Sequence, residues 1–257
     1  MLKKLKKQQF PMRQFLEDLI NMDVSIIIVN FNTDKLVREC VASVKKNTKK
    51  VKYEIIVIDN SVNNRGFAKA NNIGISQAKG KCVLLLNSDT LVRPGAIDKL
   101  FEFAENNPDA GVVAPKLLNI DGTIQASCFR FPTIERAIQQ FFLGKKGLLD
   151  KYVPTTETVD VAVMAAFLIT PRALKEVGKL DEKYFMYFED FDYCKRIQEA
   201  GLGVYYLPSA EVVHIHGASG APNKYLVESS KKYFGNVQYY IYTFILWLGQ
   251  KWEKLFK

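Results

Sequence analysis

Three short apolar runs, at residues 24–30, 54–59 and 82–87, alternate with segments of helical spacing, and no other feature of the chain restricts its fold so much. The runs are built from Val, Ile and Leu with few polar residues, the pattern of strands covered on both faces. Leu36, Cys40 and Val44 mark a helix after the first run, residues 67–78 form a second that Gly80 ends, and Pro94 opens a third that continues to about Asn106. Strand and helix in this order require right-handed crossovers and a mainly parallel sheet with helices on both faces, an α/β fold.

The pattern changes after Pro115. Asp121-Gly122 between strand-like segments is a hairpin signal, so a smaller antiparallel section begins there. Residues 132–158 have no clear period and contain Gly144 and Gly147, which predicts a mobile loop. Residues 159–170 read as one strand, 171–177 as a short helix, 190–200 as a helix closed by Gly201, and 204–207 as a last strand before His214. Three units result: a basic amphipathic segment at 1–22, a main domain at 23–220 and a basic, aromatic helical tail at 221–257.

In an open parallel sheet, ligands gather beyond the carboxyl ends of the strands. Those ends carry Asn30 and Asn32, then Asp59 and Asn60, then Asn87, Ser88 and Asp89. Any one junction could be explained by turn-forming residues. Three together favour donors and acceptors for a base, a ribose or a metal. An Asp placed like Asp89 can share Mg²⁺ or Mn²⁺ with a diphosphate, because hard oxygen ligands suit these ions. The absence of a Gly-rich phosphate loop argues against a nucleotide triphosphatase or an NAD enzyme.

Glu189, Asp190 and Asp192 crowd into four positions at the end of the aromatic run that begins with Phe185. Like charges this close repel, and burial against Phe185, Tyr187 and Phe188 penalises ionisation, so the cluster calls for a cation, a proton or a substrate. A plain helix start with acidic first-turn residues is the alternative, since the helix dipole favours negative charge there.

Several ordered segments carry a resemblance: the first strand, Val57-Ile-Asp-Asn60, the stretch from Asn64 through Gly66 to Gly74, Leu84-Leu-Leu-Asn-Ser-Asp89, the stretch from Phe185 to Arg196, and the His214-x-x-Gly217-x-Ser219 pattern. Over roughly 23–220 the chain resembles the family 2 glycosyltransferases of the GT-A fold, and more narrowly the bacterial rhamnosyltransferase-like branch that builds surface polysaccharides. The resemblance implies a Rossmann-like sheet and inverting transfer from a nucleotide-diphosphate sugar, dTDP-rhamnose or a UDP-sugar, to a glycan or polyprenyl-linked acceptor. By carry-over, Asn30 and Asp59 contact the nucleoside, Asn72 and Gly74 line the nucleotide side, and Asp89 holds Mg²⁺ or Mn²⁺ against the diphosphate. His214 takes the place of the family's late metal-associated histidine, with His216 as its competitor. Asp190 is the implied general base and Glu189 a positioning group, with Asp192 structural. One departure is Met164-Ala-Ala-Phe167, where the branch has a Gly-Ala pair; the added methyl narrows the donor or acceptor pocket.

The net charge of +9 is concentrated at the two ends of the chain. In residues 224–257 lysines interleave with aromatic rings, the composition of an interfacial helix on anionic lipid. Packing back onto the domain, or pairing in a homodimer, is the other reading of the tail. No signal peptide is evident. The longest apolar run, 239–248, is half of the roughly 20 residues that span a bilayer. Cys40, Cys82, Cys128 and Cys194 have no paired-ligand spacing and read as buried thiols of a reducing compartment. A cytoplasmic enzyme at the inner membrane face is therefore expected. The rival readings are a sugar-phosphate nucleotidyltransferase, which would need a Gly-rich, Arg-containing loop where this chain has Phe31-Asn-Thr-Asp34, and a non-catalytic carbohydrate-binding module, which would be expected to lack Asp89 or Asp190. Nucleic-acid binding is not indicated, since the body has no recognition motif.

Overall fold

The computed structural model describes residues 22–155, 157–215 and 223–256. Most of the basic N-terminal segment, and His216, Gly217 and Ser219, lie outside the described residues. The chain enters through β1 (Val24–Asn30), α1 (Asp34–Asn47), β2 (Tyr53–Asp59), α2 (Phe67–Gln77) and β3 (Cys82–Leu86). It continues through β4 (Thr90–Val92), α3 (Ala96–Asn106), β5 (Ala110–Leu118), β6 (Ile124–Gln125), β7 (Cys128–Phe129) and α4 (Ile134–Phe142). Then follow β8 (Val161–Ala162), β9 (Ala166–Ile169), α5 (Pro171–Glu176), α6 (Glu189–Glu199), β10 (Gly203–His214), α7 (Asn223–Phe234) and α8 (Asn236–Phe256).

The main sheet has the order β2-β1-β3-β9-β5-β10-β4, with β6 added to β5. β1, β2, β3, β5 and β10 run one way and β9, β4 and β6 the other, so the sheet is mainly parallel with an antiparallel strand at its centre. Because side chains alternate along a strand, Ile26 and Ile28 join one apolar layer with Val37, Cys40 and Leu100 of α1 and α3. Ile27 joins the other, with Phe167, Tyr193 and Ile197. Each such fully buried side chain contributes about 1.5–3 kcal/mol. Together the two layers fix the plane from which the strand ends project.

Several sequence expectations are corrected. β2 is not covered on both faces: it pairs only with β1 at the sheet edge and leaves Val57 46% exposed. Pro94 precedes α3 rather than lying in its first turn, and Gly95 in the left-handed region makes the entry. Residues 159–170 are two strands. Val163 N–H bonds to Ser127 O and Asn87 N–H to Ala165 O, and the chain changes sheets between these anchors. The last strand is longer than 204–207 because an irregularity between Leu207 and Glu211 lets it resume pairing with β5.

The region expected to be a mobile loop contains α4, whose first turn is capped by Thr133 Oγ1 accepting the Arg136 N–H. Its ridge packs on α8: Phe141 sits where a side chain at Gly249 would stand, and Phe142 meets Trp252 with ring centroids 6.0 Å apart. The partner is over a hundred residues away in sequence, but Ile134, Ala137, Ile138, Phe141 and Phe142 repeat at helical spacing behind the Thr133 cap, a local signal that the expectation of a loop passed over.

Much of the tail folds back onto the domain. On α7, Tyr225 stacks on Phe185 at 4.5 Å, Tyr233 packs on Phe188 at 5.2 Å, and Ser229 donates to Met186 O. The outer face of α8 retains exposed Val237, Tyr240, Ile241, Phe244 and Trp247. Among the described residues no helix is long and apolar enough to cross a membrane.

Candidate active site

The carboxyl ends of β1 and β3, the loop after β2 and the start of α6 enclose two adjoining cavities. One, of about 140 Å³, is lined by Phe31, Thr33, Asn60, Asn64, Ser88 and Tyr225 among others. The other, of about 540 Å³, is lined by Lys151, Met164, Phe188, Glu189, Asp190 and His214 among others. Phe67, Asn87, Asp89 and Met186 belong to both, so Asp89 stands between them.

The small cavity is shaped by amides that organise their own loops. Asn30 donates to Asp34 Oδ1 at 2.7 Å and accepts the Thr33 N–H at 3.0 Å, turning the chain from β1 into α1. Asn32 has φ 57 in the left-handed region, and its N–H bonds to Ser61 Oγ at 3.0 Å, which ties the first strand end to the second. Asn60 accepts the Arg65 N–H at 2.9 Å and donates to Asn64 Oδ1 at 3.1 Å. Asp59 is exposed at the end of β2, where the Ser61 backbone N–H holds its carboxyl below the usual range. Thr33 Oγ1 lies 2.9 Å from Ser88 Oγ and closes the floor between the first and third strand ends.

Asn30, Asn32, Asp59, Asn72 and Gly74 are not among the residues lining either cavity; the first three sit at the strand ends beside the small one. The Asn72 amide is engaged with Leu180 O at 2.9 Å, Glu182 Oε1 at 3.0 Å and the Leu180 N–H at 3.1 Å, and so ties α2 to the chain before α6. Gly74 lies against Ile27, whose Cγ2 would be 2.5 Å from an added Cβ. Both positions pack α2 against its neighbours under the cleft.

Asp89 and His214 face each other because β4 and β10 pair antiparallel, with His214 opposite Thr90 and the Ile215 N–H bonded to Asp89 O at 2.8 Å. His214 Nε2 is 3.5 Å from Asp89 Oδ1, and both side chains are about nine-tenths buried. One carboxylate and one imidazole suit a divalent ion of the Mn²⁺ type. Among the described residues no group of three or more His, Cys, Asp or Glu side chains stands together, so an ion here would complete its shell from a bound diphosphate and water.

Across the larger cavity, Tyr187 and Phe188 have φ 69 and 66, two consecutive non-glycine residues in the left-handed region. Strain of this kind persists only where surrounding packing enforces it. Here Phe188 is gripped by Phe191, Tyr233 and Phe234, and the sharp turn sets Glu189 and Asp190 at the first residues of α6, facing the cavity. Burial raises the Glu189 carboxyl well above the usual range, and neighbouring Asp190 adds to the rise. Burial also raises Asp190, although the Phe191 N–H and Lys151 oppose it. Glu189 Oε2 is buried without a hydrogen-bond partner among the described residues. Asp192 is held by Arg196 Nε at 2.8 Å, with Lys183 Nζ at 3.5 Å and the Tyr184 hydroxyl at 3.3 Å, a structural role.

Sequence reasoning missed Thr33, Gln125, Lys151, Tyr225 and Leu226. Gln125 meets His214, while Lys151, Tyr225 and Leu226 line the cavities from distant segments, and none carries a local signal. The four cysteines are free and buried; burial pushes Cys40 up to about 11 and Cys82 and Cys128 up to about 12, which leaves them inert as nucleophiles at neutral pH.

A mainly parallel α/β sheet with a carboxylate–imidazole pair at its strand ends and carboxylates opposite defines a GT-A-type fold. The family model for "Glycosyltransferase like family 2" matches residues 18–234, and the chain belongs to that family. It is similar to the N-acetylglucosaminyl-diphospho-decaprenol L-rhamnosyltransferase of Mycobacterium tuberculosis, with 31% identity over 160 residues covering 58% of this chain and 52% of that protein. It is also similar to the dTDP-rhamnosyl transferase RfbF of Shigella flexneri, with 24% identity covering 77% of this chain and 71% of that protein. The chain thus spans about half the length of the mycobacterial relative. In three dimensions it resembles the crystal structure of GalNAc-T7 with UDP, GalNAc and Mn²⁺, with TM-score 0.59 and 18% identity over 81% of this chain and 47% of that one, a likeness of fold.

Proposed function

We propose that this chain is an inverting glycosyltransferase that moves a sugar from a nucleotide-diphosphate donor, dTDP-rhamnose or a UDP-sugar, to a hydroxyl of a glycan or lipid-linked acceptor in bacterial cell-surface polysaccharide synthesis. The observation that carries the reading is one cavity bordered by Asp89 and His214 on one side and by Glu189 and Asp190 on the other. Family membership and the rhamnosyltransferase relatives support it, and they favour it over a nucleotidyltransferase or a non-catalytic module.

The donor nucleoside belongs in the small cavity, beside Asn60 and the strand ends bearing Asn30, Asn32 and Asp59, with Asn87 and Ser88 toward the diphosphate. Asp89 and His214 would hold Mg²⁺ or Mn²⁺, of which Mn²⁺ suits the imidazole better. Such an ion, when bound, supplies Lewis-acid stabilisation to a departing diphosphate. The protein's own part lies opposite. An acceptor hydroxyl oxygen forms a bond to the anomeric carbon, the bond from that carbon to the diphosphate oxygen breaks, and Asp190 takes the hydroxyl proton. Its raised carboxyl makes it a stronger base once ionised. Glu189, pushed further toward its protonated form, offers a hydroxyl hydrogen to orient a sugar oxygen. Phe188, Phe191 and Met164 line the same cavity and limit water around the reacting atoms.

A panel of nucleotide sugars, each with Mn²⁺, tests the donor assignment by thermal stabilisation, since a ligand that binds only the folded state raises its melting temperature. Stabilisation by dTDP-rhamnose or a UDP-sugar is expected. A response to none of the nucleotide diphosphates would refute the reading.

The setting we infer is the cytoplasmic face of a membrane, where a lipid-linked acceptor is reached. The exposed aromatic face of α8, with Lys251 Nζ 4.1 Å from the Trp247 ring centroid and Lys231 over Tyr239 and Tyr240, supports this setting. Removing the whole tail would also remove α7 from the cleft, so Phe244→Ser with Trp247→Ser is the cleaner test. Undiminished sedimentation of that variant with anionic liposomes would refute membrane docking through α8.

A further inference from the structure

We propose that Gln125 is a positioning residue for the Asp89–His214 pair, holding the His214 imidazole in the tautomer and rotation that turn Nε2 toward Asp89. The proposal rests on the metal reading above and assigns this residue a part in it.

The Asp121-Gly122 turn returns the chain along β5, so that Ile124 pairs with Leu118 and Gln125 with Leu117. β10 lies on the other side of β5, with Val213 opposite Leu118. Gln125 and His214 are therefore neighbours across the end of one strand, although 89 positions apart in sequence. The Gln125 Nε2 group donates to Asn119 Oδ1 at 2.9 Å and to His214 O at 3.2 Å. The second of these acceptors is a backbone carbonyl, which can only accept, and this fixes which end of the amide points where. Its oxygen, Oε1, is thereby left facing His214 Nδ1 at 2.7 Å.

An amide oxygen only accepts hydrogen bonds, so Nδ1 carries a hydrogen, and in the neutral ring, the form that binds a metal, the other nitrogen presents its lone pair. That nitrogen is the one 3.5 Å from Asp89 Oδ1. A lone pair directed at a carboxylate oxygen is an arrangement that a cation between them relieves. Gln125 grips both the ring and the backbone carbonyl of the same residue, so it sets the rotation of the imidazole as well as its tautomer. A partner of this kind on the non-ligating nitrogen is how imidazole ligands are oriented and made more basic toward a metal. β6, whose Ile124 and Gln125 join neither apolar layer, acquires a purpose as the arm that delivers this amide.

Mn²⁺ binding to the full chain can be followed by loss of the free-ion electron paramagnetic resonance signal, with and without UDP, for wild type, Gln125→Leu and Gln125→Glu. The Leu variant is expected to bind Mn²⁺ about 10- to 100-fold more weakly, with its melting temperature in the absence of metal little changed. The Glu variant keeps an acceptor for Nδ1–H but loses the donor to His214 O, so its affinity is expected to fall between those of the wild type and the Leu variant. Should the Leu variant fail to fold, Gln125→Asn, too short to reach Nδ1, replaces it. Wild-type affinity in the Leu or Asn variant overturns the proposal, as does an equal loss in the Glu variant, which marks a structural residue only. If the wild-type chain takes up no Mn²⁺ in either condition, the metal reading itself falls and the role of Gln125 with it.

Discussion

The two walls of the cleft are held in opposite ways. On the nucleotide side, the Asn30 and Asn60 side chains bond to groups three to five residues away, and Asp59 is drawn below the usual carboxylate range by Ser61 two residues on. On the carboxylate side, Glu189 and Asp190 are raised by burial, one Glu189 oxygen has no partner among the described residues, and two aromatic residues sit in the left-handed region under the grip of a helix from the far end of the chain. The first wall is assembled by local hydrogen bonds joined across the strand ends by Asn32–Ser61 and Thr33–Ser88, and is shaped before a ligand arrives. The second is a strained, under-satisfied surface that packing alone sustains, and such surfaces are where chemistry is found.

Asp190→Asn tests the division most severely. Turnover should fall by about 10²- to 10⁴-fold, the usual contribution of a general base, while UDP affinity by calorimetry stays near wild type. An equal loss of nucleotide affinity would mean that the walls do not act separately. The walls touch where Gly66, at φ +83, lies under the Phe185 carbonyl and the Phe67 N–H bonds to that oxygen at 2.6 Å. Gly66→Ala meets both a left-handed backbone and that carbonyl, so it should cost about 1–3 kcal/mol in thermal or urea unfolding and weaken nucleotide binding and turnover together.

Proton linkage separates the walls by sign. The folded state holds protons on Glu189 and Asp190 that the unfolded chain releases, so this pair makes stability fall as pH rises from the ordinary carboxylate range toward neutrality and above. Glu189→Gln should therefore raise the melting temperature at neutral and higher pH and flatten that decline, because the amide has no proton to release. Asp59 has the opposite linkage: its stabilisation is present above the ordinary carboxylate range and is lost as pH falls through its lowered folded value. Asp59→Asn should flatten the acid side of the melting profile instead. Matching pH profiles for the two variants would erase the contrast.

The smallest effect is expected from Ser229→Ala, which removes the 2.8 Å bond from α7 to Met186 O at about 1 kcal/mol. Turnover should decline modestly with UDP affinity unchanged. A fall in UDP affinity alone would shift the α7 contact to the nucleotide side.

Both walls left a mark in the sequence. Strand ends bearing Asn30, Asp59 and Asp89 could be read because each apolar run ends in a polar junction, and the Glu189-Asp190 pair because its charge density is unusual for an aromatic setting. Asn72 and Gly74 are engaged in helix packing, and an amide or a glycine looks the same in sequence whether it meets a ligand or a neighbouring helix. α4 has a local apolar period that the loop expectation overlooked, whereas Tyr225 and Leu226 could not be read as cavity residues because their partners lie far along the chain, and periodicity reports only which face is apolar.

The sequence by itself determined the α/β alternation, the direction of the main strands and the chemical types present at their ends, because these follow from short-range spacing and backbone preference. Only the tertiary structure decided that β9 enters the sheet antiparallel at its centre, that the tail folds over the cleft, and that Gln125 meets His214. Those outcomes depend on shape complementarity and hydrogen-bond partners tens to hundreds of residues apart, which no local pattern encodes.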